Sequence, residues 1–158
     1  MFIGCDHAAV AAKQVVVDAL ASHDVDIIDV GTNSDQSVDY PDFARKVAES
    51  VAAHPGARGI LLCGTGIGMS IAANKVAGIR AALVGDVTGA KMSRLHNDAN
   101  VLVLGGGVLG PRLISDIVES WISTDFEGGR HQRRIDKITA IEKSSVQPAT
   151  GAREDSNS

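Results

Sequence analysis

The chain has 158 residues and a mass of 16.4 kDa, with 19 acidic and 15 basic side chains and a formal net charge of −4 at pH 7. This length favours one domain. Aromatic residues make up only 3% and no long Lys/Arg cluster occurs, so a nucleic-acid surface built on stacking or on basic charge is not expected. The apolar runs are far shorter than the ~20 residues that span a bilayer, so no membrane association is expected.

The start of the chain does not resemble a signal peptide, because Asp6 and His7 interrupt it before an apolar stretch develops. We therefore expect a cytoplasmic protein. Cys5 and Cys63 both fall in strand-like apolar segments and lack metal-ligand spacing, so reduced thiols and no bound metal are predicted.

Short β-rich apolar runs alternate with longer segments of helical period, a pattern that predicts βαβ units and a parallel sheet in an α/β fold. Predicted strands cover 2–5, 26–30, 59–63, 80–84 and 100–104. Predicted helices cover 8–22, 41–53, 68–76, 88–96, 111–123 and 131–143. Residues 1–143 form the predicted domain. The tail 144–158 has no apolar periodicity and is rich in small polar residues, so it is predicted to be disordered.

The strongest local feature is the segment 59–68, a buried strand that ends at Cys63 and runs into a glycine-rich turn. Three glycines in five residues allow backbone N–H groups to point into one concavity, which suits an anion or an oxyanion. Cys63 stands at the lip of this turn, where such a field favours the thiolate. The alternative is a small buried cysteine beside a tight turn, which is the commoner situation for this residue type.

Nucleotide binding is a second possibility, because Gly105–Gly110 formally matches G-x-G-x-x-G between a strand and a helix. The match follows the last predicted strand, and no further strand with an acidic end comes after it. Neither glycine turn is followed by the Gly-Lys-Ser/Thr of a P-loop. The motif therefore supports dinucleotide binding only weakly.

Two polar clusters are further candidates. Asp6 and His7 follow the first strand, and the segment His96–Asp98 ends the helix before the fifth strand. Taken singly, the first is typical of a helix cap and the second of a helix C-terminus. We expect both clusters to lie at the same sheet edge as Cys63, where a base, an acid and an amide cradle would form a proton-transfer site.

A basic cluster opens the last predicted helix. Arg130 and Arg134 are four residues apart and share a helical face, so together they suit a phosphate dianion. The alternative is a solvated basic turn. Whether Arg133 contributes stays open.

In chain order, these motifs closely resemble those of the ribose-5-phosphate isomerase B family of sugar-phosphate isomerases, which includes galactose-6-phosphate and allose-6-phosphate isomerases. The resemblance covers residues 1–143. The segments that carry it are Gly4–His7, Asp39–Pro41, Cys63–Gly68, Ala72–Lys75, Gly78–Arg80, His96–Asp98 and Glu127–Gln132.

The resemblance implies a three-layer α/β/α Rossmann-like sandwich and an aldose–ketose isomerase that uses no cofactor or metal. It also implies a homodimer with sites at the subunit interface, and a tetramer is an open alternative. By resemblance, Cys63 is the base, His96 assists opening of the sugar ring and Asp6 orients hydroxyl groups.

The implied binding groups follow from the same resemblance. The enediolate would be stabilised at the turn formed by Gly64, Thr65, Gly66, Ile67 and Gly68, with Thr65 contributing its side chain. The phosphate would be held by Arg130, Arg134 and His7, and a sugar hydroxyl by Asn97. Some relatives place a glutamate after the glycine turn, where this chain has Met69, so only the cysteine variant is available here.

One departure from the family concerns substrate identity. Many relatives carry an arginine shortly after the fifth strand, at the position of Gly107, and Arg112 is the nearest possible substitute. Ribose 5-phosphate and ribulose 5-phosphate are the leading substrate pair, and tetrose 4-phosphates and hexose 6-phosphates stay open. A non-catalytic module that binds a sugar phosphate or a nucleotide is the alternative from another functional class.

Overall fold

The computed structural model describes residues 1–146, which form a five-stranded parallel sheet in the order β2-β1-β3-β5-β4. The strands are Phe2–Cys5 (β1), Ile28–Asp29 (β2), Gly59–Cys63 (β3), Ala81–Leu83 (β4) and Val101–Gly105 (β5). After a 3-10 turn at His7–Ala9, the helices are Val10–Leu20 (α1), Tyr40–Ala53 (α2), Ile67–Ala73 (α3), Val87–Asn97 (α4), Pro111–Ile122 (α5) and Arg130–Val146 (α6). The predicted α/β class and five-stranded parallel sheet are confirmed.

Two apolar cores cover the two faces of the sheet. Alternate residues of β3 point to opposite sides, so Ile60 and Leu62 pack with α1 and α5, while Leu61 packs with α2 and α3. A parallel sheet with both faces covered has strands that read as continuous apolar runs, as β3 and β5 do. Cys5 belongs to the first core and Cys63 to the second, so the sheet separates the two thiols, and both are free.

Apart from β1 and β3, the predicted elements differ from the structure at one or both ends, and three of these differences have a clear physical reason or consequence. β2 has only two residues, because it pairs with β1 alone and its side chains are exposed. α3 stops at Ala73, where the Asn74 side-chain amide donates to the Ser70 and Ala81 carbonyls and accepts from the Ala81 N–H. α6 continues to Val146, three residues into the predicted tail, and the rest of that tail, 147–158, lies outside the described residues.

The direction of the chain fixes which side chains meet. In a parallel sheet all strands end at one edge, the carboxyl edge, and begin at the other, the amino edge. Each helix that follows a strand starts at the carboxyl edge and ends at the amino edge. Within the range 1–146 we find no helix with the length and apolar character needed to cross a bilayer.

Candidate active site

Cys63 ends β3 at the carboxyl edge and is buried, with 5% of its surface exposed. Its Sγ accepts a hydrogen bond from the Gly66 backbone N–H at 3.1 Å. A donor aimed at sulfur stabilises negative charge there. The Gly66 N–H is therefore positioned to stabilise a thiolate at Cys63, if one forms during a reaction.

The turn after Cys63 accepts no side chain at its central glycine. Gly66 has φ +78°, and an added Cβ would lie 2.5 Å from Leu83 Cδ1 and 3.0 Å from the Leu104 carbonyl carbon. Two constraints, backbone conformation and space, thus require glycine at this position. Thr65 is exposed on the outer side of the turn, where its Oγ1 accepts from the Ile67 N–H at 3.3 Å.

The second glycine-rich turn, after β5, braces the first. Gly106 donates its N–H to the Cys63 carbonyl at 2.8 Å, and Gly107 donates to the Gly64 carbonyl at 2.9 Å. A Cβ at Gly107 would stand 3.0 Å from the Gly64 oxygen. The segment Gly105–Gly110, which formally matches a dinucleotide-binding motif, therefore stabilises the turn after Cys63.

Asp6 and His7 lie beside Cys63 at the carboxyl edge, as predicted. The Asp6 backbone N–H donates to the Leu62 carbonyl at 3.2 Å, and its buried carboxylate accepts from the Ala8 N–H at 3.0 Å as the cap of the 3-10 turn. His7 Nδ1 accepts from the Val38 N–H at 3.2 Å. Because Nδ1 is the acceptor, Nε2 is the nitrogen that His7 can offer to a ligand as a donor.

Tyr40 is a site residue to which the motifs assigned no role. Its ring lies over the glycine turn, since a Cβ at Gly68 would stand 2.5 Å from Tyr40 Cε2, and the side chain is 40% exposed. Tyr40 lies in the segment Asp39–Pro41, which carries part of the family resemblance. The sequence of this segment does not show that α2 packs close to the turn, and this packing brings the tyrosine ring there.

His96 does not lie where the sequence analysis placed it. α4 begins after β4 at the carboxyl edge and ends before β5, so His96 in its last turn belongs to the amino edge. The eleven residues of α4 extend about 16 Å. The expectation that His96 and Asn97 share an edge with Cys63 in one chain is therefore wrong, because a helix that precedes a parallel strand ends at the opposite side of the sheet.

At the amino edge, His96 belongs to a second cluster of predicted site residues. Its ring stacks on that of His131, with centroids 4.2 Å apart and planes inclined by 9°. Glu127 Oε2 lies 3.4 Å from His131 Nε2 and 3.9 Å from His96 Nε2. Arg130 and Arg134 extend from the first turns of α6 beside this pair and are exposed. The structure thus brings His96 together with both phosphate-binding candidates.

The same cluster is a potential cation site in the described part of the chain, since ligand atoms of His96, Glu127 and His131 lie within 4.8 Å of one another. However, Arg130 Nε donates to His131 Nε2 at 3.4 Å. The lone pair that a metal would need therefore faces a guanidinium, and a cation can enter only after Arg130 moves away. The donor set suits an anion or a proton better than a metal ion.

Two arginines, the buried Arg94 and the half-buried Arg80, fix the end of α4. Asp98 adopts a left-handed conformation with φ 44° and accepts from Arg94 Nη1 at 2.8 Å and Arg80 Nη2 at 3.0 Å. Arg80 Nε also donates to the Asn97 and Asp98 carbonyls, both at 3.0 Å. These bonds hold the backbone directly after His96. Asp98 also belongs to a segment that carries the family resemblance, and its contacts could not be predicted from the sequence.

Residues 1–138 match the model of the Ribose/Galactose Isomerase family. The chain belongs to this family. It is 49% identical over 140 residues to ribose-5-phosphate isomerase B of Escherichia coli, a match that covers 89% of this chain and 94% of the relative. It is 47% identical to a putative sugar phosphate isomerase of Bacillus subtilis, covering 91% and 97% of the two chains.

Two solved structures extend this ribose/galactose isomerase match to the fold. Ribose-5-phosphate isomerase B of Clostridium thermocellum superposes with a TM-score of 0.88 at 50% identity, covering 92% of this chain and 98% of that one. The enzyme of Mycoplasma genitalium, solved with bound ribulose-5-phosphate, gives 0.85 at 42% identity, covering 90% and 95%. The predicted family and Rossmann-like fold are confirmed, and the chain is a sugar-phosphate isomerase of the aldose–ketose type.

Proposed function

We propose that the chain interconverts ribose 5-phosphate and ribulose 5-phosphate through an enediolate, with Cys63 as the base. The hydrogen bond from Gly66 N–H to Cys63 Sγ carries this proposal, because a backbone donor aimed at the sulfur would stabilise a thiolate beside the glycine-rich turn. The relatives known as ribose-5-phosphate isomerase B, one of them solved with bound ribulose-5-phosphate, support the substrate pair. Both cysteines are free thiols, which fits work in the cytoplasm.

The proton transfer balances without an additional reactant. The Cys63 thiolate takes the proton from C2 of the open-chain aldose, and the electron pair forms the enediolate while S–H forms. The hydroxyl proton on O2 passes to O1, and the thiol returns its proton to C1. Charge on the two oxygens grows only along the reaction path, so amide donors fixed in advance at 64–68 lower the barrier.

Asp6 and His7 fit supporting roles beside the sulfur. The capping bond from Ala8 engages one Asp6 oxygen, Oδ1, and leaves the carboxylate with lone pairs that can orient sugar hydroxyls. His7 presents Nε2 as a donor, which suits a phosphate oxygen. Thr65 and Ile67 border the turn at its exposed side.

The remaining groups must come from a second chain. His96, Asn97, Arg130 and Arg134 belong to the amino edge, about one α4 length of 16 Å from Cys63, and a pentose phosphate is shorter than that. One substrate can meet both sets only where the carboxyl edge of one chain faces the amino edge of another. A homodimer related by a twofold axis forms two such sites.

An exposed apolar face offers the contact that this dimer needs. It lies around the outer strand β4 and the glycine turn, and its members are Ile67, Ile71, Leu83, Val87 and Val108, all at least 40% exposed. A cavity of about 320 Å³ between Thr65, Leu83 and Val108 lies on this face. Exposed apolar surface beside a catalytic turn is typical of an interface. A tetramer of two such dimers is the alternative assembly.

Chain length of the sugar is the least determined feature. Gly107 leaves the end of the second turn without a cation, and Arg112, the nearest possible substitute, forms an exposed ion pair with Asp116 at 3.0 Å on α5. Arg133 is exposed. Tetrose 4-phosphates and hexose 6-phosphates therefore stay as alternatives, which a substrate panel compared by kcat/KM would separate.

Replacing the thiol tests the proposal directly. In Cys63→Ala, both the interconversion and the exchange of the C1 proton of ribulose 5-phosphate with deuterium oxide should fall by at least about a hundredfold, since each needs the base. Cys5→Ala is the matched control, because it removes a buried thiol from the opposite face of the sheet. A Cys63→Ala protein with full activity would overturn the mechanism, and phosphate binding without any exchange by the wild type would favour a non-catalytic module.

A further inference from the structure

His131 has no role in the mechanism proposed above, yet it is the most enclosed histidine at the amino edge, with 4% of its surface exposed. Its ring lies face to face with that of His96, 4.2 Å away and inclined by 9°. The two residues come from α6 and α4, which the loop after α5 brings together. The Glu127 N–H donates to the Leu95 carbonyl at 3.1 Å and fastens that loop beside the end of α4.

The surroundings keep His131 uncharged. Burial lowers the pKa of His131, and the nearby charges of His96, Arg130 and Arg134 lower it further, against a smaller opposing effect of Glu127. The bond from Arg130 Nε to His131 Nε2 agrees, because a nitrogen that accepts carries no proton. Two imidazolium rings stacked at this distance would repel each other, which also favours a neutral His131.

We infer that His131 is a positioning residue for His96, holding its imidazole in one plane by stacking so that it can transfer protons during opening of the sugar ring. The inference rests on the role proposed for His96. In ring opening the C1–O4 bond breaks, O4 gains a proton, and the C1 hydroxyl loses its proton as the carbonyl forms. One imidazole supplies the first proton and regains the second, which requires that its plane stay aligned with both oxygens.

Ring opening can be measured separately from proton abstraction, because ribulose 5-phosphate cannot close a five-membered ring while its O5 is esterified. Interconversion that starts from ribose 5-phosphate needs ring opening. Exchange of the C1 proton of ribulose 5-phosphate with deuterium oxide needs only the base and the amide turn. The ratio of these two rates therefore reports on His96 and its support.

Two variants of similar volume separate the stacking plane from mere packing. His131→Phe keeps a flat ring and should retain interconversion within about threefold, and His131→Leu should lose roughly tenfold or more, while both keep the wild-type exchange rate. Thermal unfolding of each variant checks that it is folded. If His131→Leu is unstable, the comparison of His131→Phe with His96→Phe still decides, since only the latter should lose interconversion.

Three results would overturn the inference. These are wild-type interconversion by folded His131→Leu, an equal loss of interconversion and exchange, or a loss in His131→Phe as large as in His96→Phe. Failure of the proposed function would look different, because Cys63→Ala would then keep its exchange and interconversion. The two ideas can thus fail independently.

Discussion

Cys63 and His96 lie at opposite edges of the sheet, although the chain connects them by only one helix, one strand and a second helix. The parallel direction of β3, β4 and β5 imposes this separation, because each crossover helix carries the chain back from the carboxyl edge to the amino edge. In the proposed dimer, each chain would therefore contribute two separate half-sites. Their separation gives a quantitative expectation for mixed dimers.

Mixed dimers should regain activity that neither parent has. Cys63→Ala subunits lack the proposed base, and Arg130→Ala/Arg134→Ala subunits lack the proposed phosphate-binding side chains. In a hybrid, one of the two sites combines Cys63 of one chain with both arginines of the other. Random mixing makes half of the dimers hybrid with one complete site each, so about a quarter of wild-type activity is expected.

The control for this experiment is a mixture in which both changes lie on the same chain, paired with wild type. In a shared site, each of its hybrids has one site without the base and the other without the arginines, so exchange of subunits should lower the activity of this mixture from about a half to about a quarter of wild type. Hybrids isolated with two different affinity tags and showing no recovery would mean that each site is built within one chain.

Gly66→Ala should abolish activity and lower stability. The left-handed backbone at φ +78° costs an alanine about 1–3 kcal/mol, and its Cβ would also press on the Leu104 carbonyl carbon at 3.0 Å. The turn must then shift, and the N–H would leave the Cys63 sulfur. Gly56→Ala is the matched control, because Gly56 has φ +82° with nothing within 4 Å of an added Cβ.

Chemical unfolding measures the loss of stability, and kcat/KM on ribose 5-phosphate measures the loss of activity, so the two effects can be separated. Gly56→Ala should show the backbone strain alone and keep its activity. If Gly66→Ala unfolds like Gly56→Ala and stays active, the turn does not need the space that the structure reserves for glycine.

Much of this architecture is readable from the sequence, because the buried runs 2–5 and 59–63 form strands with the predicted bounds. Their continuous apolar character reflects burial on both faces, a property of the residues themselves. The short strand β2 was overestimated, since it pairs on one side and its register with β1 depends on two residues. The bounds of elements follow from local pattern only where both faces are covered.

The arrangement of the site residues could not be predicted from the sequence alone, and the wrong prediction for His96 shows the reason. Residue types indicate a base, an acid and an anion site, but the edge at which each side chain lies depends on the direction of the chain through the sheet. The stack of His96 on His131 depends on the path of residues 123–129, which have no periodicity to read. The contact of Asp98 with Arg80 likewise joins two separate segments, whereas Arg94 lies one turn before Asp98 on α4.

Replacing Asp98 should lower stability for two reasons. The variant loses the carboxylate, and it can lose a residue type that tolerates the left-handed backbone conformation. Asp98→Asn keeps the conformation and removes the charge that faces Arg94, whose side chain is 5% exposed, so stability should fall by about 1–3 kcal/mol. Asp98→Ala should lose about 1 kcal/mol more, because alanine adopts this conformation at a cost.

Asp98→Gly provides the opposing case, since glycine suits the left-handed cap but has no carboxylate. Its unfolding free energy should lie above that of Asp98→Ala, while kcat/KM should fall in all three variants because Arg80 loses the carboxylate that holds it against the Asn97 carbonyl. Equal stability of Asp98→Ala and Asp98→Gly would show that the backbone conformation is not under strain.

Acidification should destabilise the protein through His131. The pKa of His131 is lowered from 6.5 in the native state, so below about pH 6.5 the unfolded chain binds a proton that the native chain excludes. Because the unfolded state then binds more protons, the free energy of unfolding falls as the pH falls through this window. His131→Phe removes the titrating group, so urea unfolding should show a smaller loss of stability on acidification than in wild type.

Glu127→Gln should increase the loss of stability on acidification, opposite to His131→Phe, and therefore serves as a control for the sign of the effect. The Glu127 carboxylate raises the pKa of His131 against the stronger effects of burial and the neighbouring cations, so its removal lowers that pKa further and widens the acid-sensitive window. Proton NMR titration of the His131 ring measures the same quantity without unfolding. A His131 midpoint at or above 6.5, or acid sensitivity that is unchanged in both variants, would show that its surroundings do not keep the His131 ring uncharged.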